Sequence, residues 1–111
     1  MTKTEQKIAN YVKNANDLGL GLSEDLITKV TKGLGPSIHN KDAETVSCSD
    51  QSELDRVKTN FLQKKLGLDS GDFDSAIKEV CEKMGSSNRN KYRALFYALL
   101  VQKFNKESIY S

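Results

Sequence analysis

One proline (Pro36), one histidine (His39) and two cysteines (Cys48 and Cys81) are all that this 111-residue chain holds of those types, and each scarcity closes off a class of protein. A single proline leaves nearly the whole chain free to run in helices. Two cysteines are too few for a secreted scaffold stapled by disulfides, and they suit a reducing compartment. One histidine with two scattered cysteines makes no tetrahedral zinc pattern. An excess of charge of one sign is missing as well. Lys and Arg number 17 against 15 for Asp and Glu, a net charge of +2, whereas dedicated nucleic-acid or membrane-surface proteins usually carry a large basic surplus. The longest apolar run, Ala94 to Val101, is eight residues long; a membrane helix needs roughly 20. The polar stretch from Met1 to Asn14 lacks the apolar segment of a signal peptide. With a mean hydropathy of −0.58, the chain reads as soluble and cytoplasmic, its length fitting one domain over residues 1–111.

What is present is helical periodicity. Ile8, Tyr11, Val12 and Ala15 share one face of a first helix over about Thr4 to Asn14, and the glycines of the following segment, Gly19 and Gly21, suit a left-handed end. Ser23 has the place of an N-cap, with Glu24 and Asp25 in the first turn; Leu26, Ile27, Val30 and Leu34 follow as a stripe that Gly35 and Pro36 stop. Residues 37–49 are irregular, with one helical turn around Asp42 to Thr45. Asp50 and Glu53 have the spacing of a capping box opening a helix to about Leu66, with Leu54, Val57, Phe61 and Leu62 inward. Asp72 or Asp74 caps a helix bearing Ile77, Val80, Cys81 and Met84, in which Glu79 and Lys83 stand four apart as a solvated pair. The last helix begins near Ser87 to Asn90 and reaches about Phe104. Being apolar nearly all round, it is expected at the centre of an all-α array of about five short helices. Ile27, Val30, Leu34 and Gly35 recur as Ile77, Val80, Met84 and Gly85; a duplicated helical hairpin would give this echo, and so would two ordinary amphipathic helices ending in glycine, the reading preferred here.

Chemistry is sparse. Cys48, just before a helix start, is the candidate reactive thiol, because amide dipoles there lower a thiol pKa; Cys81 reads as a small core residue. A disulfide between the two requires α-carbons within about 7 Å, which spacing does not fix. His39 could serve Cys48 as a base, but no oxyanion motif accompanies the two. The acidic run Asp69 to Asp74 fails as a calcium loop, since the positions for Gly and Glu hold Asp74 and Val80. Gly19 and Gly21 precede Glu24 where a phosphate loop needs a third glycine. Charge is uneven along the chain: residues 1–46 are neutral, 47–85 carry −2 and 86–111 carry +4. Arg89, Lys91 and Arg93, at the start of the last helix, are a candidate anion-binding group; the alternative is a solvated helix end that pairs with the acidic middle segment.

The segments Val46 to Asp50, Asn60 to Leu68 and Ala76 to Met84, with Arg89-Asn90-Lys91 leading into the last helix, resemble a small bacterial family catalogued as a domain of unknown function. The resemblance implies a compact all-helical array and brings no catalytic or binding residue with it. The first expectation for function is therefore a non-enzymatic module that binds a protein partner or itself. The alternatives are a thiol-dependent or redox-responsive protein using Cys48, and anion or nucleic-acid binding through Arg89, Lys91 and Arg93. No cofactor, metal or membrane is implied.

Overall fold

The computed structural model describes residues 2–68, 73–85 and 91–110. Helix α1 spans Lys3–Leu18 and opens with a capping box: Thr2 accepts from the Glu5 amide while Glu5 accepts from the amide of Thr2, each at 3.1 Å. It runs one turn beyond the expected end, and Gly19, at φ 64°, closes it in the left-handed conformation. Helix α2, Glu24–Leu34, starts where Ser23 accepts from the Leu26 amide and buries Leu26, Ile27 and Val30, as its stripe requires. After Gly35 the chain tightens into a 3₁₀ turn, Gly35–His39, and a four-residue helix, α3, Lys41–Glu44.

Asp50 caps α4, Gln51–Arg56, accepting from the amides of Ser52 and Glu53. The reciprocal half of the expected box is not made, because the Glu53 carboxylate turns instead to Arg56 and Arg93. Beyond Arg56 the same rod widens into a π-helix over Val57–Lys65. Its wider turn buries Val57, Phe61, Leu62 and Leu66 on one side. Helix α5, Phe73–Met84, buries Phe73, Ala76, Ile77, Val80 and Met84. Asp74 lies inside its first turn rather than at the cap, and Asp72 falls outside the described residues. The expected pair of Glu79 with Lys83 gives way to one between Glu79 and Lys103 of the last helix.

Helix α6, Arg93–Lys103, begins later than expected and is followed by a 3₁₀ turn, Glu107–Tyr110. Every residue from Ala94 to Val101 is buried, and α1, α2, α3 and α5 all pack against this helix. Most of the buried apolar side chains form one cluster around it. This is the all-α array with its C-terminal helix central that the periodicity predicts. Among the described residues no helix is long and apolar enough to cross a membrane.

Candidate functional site

Between α3 and α4 the chain is pinned before it turns. Thr45 forms an isolated antiparallel bridge with Tyr92, and the Val46 amide donates to the Lys91 carbonyl at 2.8 Å, with the Val46 side chain buried. A tight turn follows, in which the Asp50 amide donates to the Ser47 carbonyl at 3.2 Å and the Ser47 and Ser49 hydroxyls lie 3.3 Å apart. Cys48 sits in this turn. Its sulfur is bonded to that of Cys81, 33 residues away, across α-carbons 6.1 Å apart.

Cys81 reaches this position because it is on the flank of α5. A helix turns about 100° per residue, so the residue after Val80 is carried to the edge of the buried stripe. Both cysteines are half-buried, and neither is free. In place of a reactive thiol at Cys48 and a small core residue at Cys81, the structure has a disulfide that ties the α3–α4 connection to α5.

A cleft of about 420 Å³ opens beside the disulfide. Asp74, Ile77, Lys78 and Cys81 follow one another at spacings of three, one and three, a single face of α5. Gln51 and Leu54, one turn apart on α4, form the opposite side. Asp74 is 3.5 Å from Lys58 in an exposed pair, and Gln51 donates to Asp55 at 3.0 Å. Lys78 makes no ion pair with any described residue.

The three candidate anion-binding residues are placed differently. Arg89 lies outside the described residues. Lys91 is buried. Arg93 donates from Nε to the Ala43 carbonyl at 2.6 Å, from Nη1 to the Tyr97 hydroxyl at 2.8 Å, and from Nη2 to the Glu53 carboxylate. Burial opposes charge on this guanidinium, but Tyr97 and Glu53 hold its pKa above the ordinary arginine value. Arg93 thus joins α3 and α4 to α6, and the described residues bring Lys91 and Arg93 to no shared open surface.

His39 is exposed in the 3₁₀ turn, with Nε2 3.5 Å from the Thr4 hydroxyl, while the Cys48 sulfur belongs to Cys81. The acidic run expected to cap α5 lies, from Asp69 to Asp72, outside the described residues. Among the described residues no three of His, Cys, Asp and Glu gather as metal ligands would. A second polar cluster that the sequence did not announce joins α1 to α3. Glu44 accepts from Lys7 at 2.7 Å and from the Tyr11 hydroxyl at 2.5 Å, the Tyr11 ring lying 4.8 Å from that of Tyr92.

Fold and site together define a small all-helical protein, built on a buried C-terminal helix and crossed by one disulfide at the edge of a cleft. The chain belongs to the family described as "Protein of unknown function (DUF2853)", whose model matches residues 7–108 and so includes both cysteines and all of α2 to α6. No curated protein matches it.

Proposed function

We propose that the chain is a non-catalytic, redox-responsive helical module whose responsive element is the Cys48–Cys81 pair. The observation that carries this reading is the juxtaposition of two cysteines from separate elements, half-buried, at the margin of an open cleft. A cysteine pair of purely packing character belongs inside the cluster around α6, whereas this one borders it. Solution thiols reach such a bond, and exchange depends on that access. Cross-linking positions 33 apart removes about 3–4 kcal/mol of chain entropy from the unfolded state by the loop-closure estimate. Oxidation therefore raises the stability of the folded molecule over that of its reduced form, with the Ser47–Asp50 turn as the segment that reduction releases from α5.

The interaction role expected from the sequence rests on less. Among the described residues the large apolar side chains left exposed are Leu18 and Ile109, two side chains rather than a broad apolar patch. Such a role would be exercised through the turn that the disulfide holds. The test is to poise the protein in thiol–disulfide buffers, alkylate rapidly and weigh it. The expected result is a two-electron transition between molecules with no alkyl group and molecules with two. Two cysteines that alkylate independently, or that stay free in oxidising buffer, would overturn the reading.

A further inference from the structure

The same cleft has a chemistry that points to what exchanges with the disulfide. Its volume, about 420 Å³, is in the range of small-molecule sites. Leu54 on one side and Ile77 on the other give the cleft apolar lining, and the α5 face that carries Cys81 also carries the ammonium of Lys78 one turn earlier. That ammonium has no carboxylate partner among the described residues, whereas Asp74 on the same face is already set against Lys58. Among the described residues the unpaired charge that lines the cleft is therefore positive, and it stands on the helix that bears one of the two sulfurs.

Resting on the redox reading above, we propose that the cleft docks a low-molecular-weight thiol bearing a carboxylate, which pairs with Lys78 while its sulfur attacks Cys81. In this step the thiolate forms a bond to the Cys81 Sγ and the Sγ–Sγ bond breaks. Cys48 leaves as a thiolate and takes up a proton from solvent, equivalent to the one the attacking thiol lost. A second thiolate of the same kind then attacks the sulfur of the small molecule in the mixed disulfide. The products are a small-molecule disulfide, the oxidised partner, and a protein whose Cys48 and Cys81 are both reduced. Attack at Cys81 rather than Cys48 follows from placement, since Lys78 and Cys81 are three residues apart on one helix and so are neighbours on its surface.

The test compares three small thiols of similar size on the oxidised protein at equal thiolate concentration: 3-mercaptopropionate (anionic), 2-mercaptoethanol (neutral) and cysteamine (cationic). Opening is followed by acid quench, alkylation and peptide mass mapping. An exposed ion pair of ordinary strength makes the anionic thiol about three- to fivefold faster than the neutral one, with the cationic thiol slowest. The first adduct is expected on the peptide containing Cys81. In Lys78→Gln the anionic-to-neutral ratio falls to about one, and because Lys78 is exposed that variant is expected to fold. Equal rates for the three thiols in the native protein, an unchanged ratio in Lys78→Gln, or a first adduct on Cys48 would each overturn the inference. Dithiothreitol separates this failure from failure of the redox reading. If it opens the pair and lowers stability while the three thiols do not differ, only the docking inference falls; if opening leaves stability unchanged, the redox reading falls with it.

Discussion

Arg93 occupies the position where three elements meet. Its guanidinium and the Glu53 carboxylate are both largely withdrawn from water, at 14% and 13% side-chain exposure, and the Tyr97 hydroxyl and Ala43 carbonyl accept from Nη1 and Nε. Removing one partner strands the other in a poorly solvated place, which costs far more than a surface pair is worth. Arg93→Met is expected to lower stability by about 2–3 kcal/mol, discounted from the fully buried case for the remaining exposure. Lys103→Met, which breaks the more exposed pair with Glu79, should stay within about 0.5 kcal/mol. Urea unfolding of both variants checks the contrast, and equal effects would contradict it. Tyr11 and Tyr97 make a second expectation at this scale. Burial, first of all, pushes both phenols up; for Tyr11 the hydrogen bond to Glu44 adds to it. A raised folded pKa contributes stability that is fully present below the unfolded tyrosine pKa of about 10 and is lost as pH rises toward the folded value. Absorbance titration should therefore show these two of the four tyrosines ionising only as the protein unfolds, with stability declining above about pH 10. Ionisation of all four in the ordinary range in the native state would contradict the placement. None of this was legible in the sequence, since the spacing that suggested a capping box for Glu53 is satisfied just as well by a carboxylate that turns to another helix.

The elements themselves were legible wherever one face is apolar. α2 and α5 run as their stripes require, and Ser23 and Gly35 bound α2 because a hydroxyl acceptor and a positive φ are local demands. α1 extended past its expected end because Asn16, Asp17 and Leu18 tolerate the helix until Gly19 reverses the backbone. At that residue a Cβ would meet no neighbour within 4 Å, so the cost of Gly19→Ala is conformational alone, about 1–2 kcal/mol. Thermal or urea unfolding of that variant checks it, and a neutral effect would contradict the capping role. The π-helical half of the long rod was not readable. Its apolar residues fit an α-helical stripe to Phe61 and Leu62, and the contact it makes is tertiary: the Phe61 ring lies stacked on Tyr97 with centroids 3.9 Å apart. Phe61→Ala is expected to cost about 3–5 kcal/mol, as other large aromatic truncations in cores do.

At the scale of the molecule, the uneven charge along the chain acquires a partner. The basic C-terminal segment is joined to the acidic middle one through Arg93 to Glu53 and Lys103 to Glu79. The centrality of α6 could be read from an apolar circumference that no surface helix sustains. The disulfide could not, because whether a turn and the flank of a helix come within bonding distance is decided by how α4 and α5 settle on α6, and spacing along the chain is silent on that. One consequence of the pairing is decisive: the oxidised molecule must be the more stable one, with the same helices in both forms. The direct measurement is equilibrium urea unfolding of the oxidised protein, the dithiothreitol-reduced protein and Cys48→Ser/Cys81→Ser, followed by far-ultraviolet circular dichroism. The oxidised form should be more stable by about 3–4 kcal/mol, with the reduced protein and the double variant close together and equal native ellipticity in all three. Coincident unfolding curves for oxidised and reduced protein would contradict it.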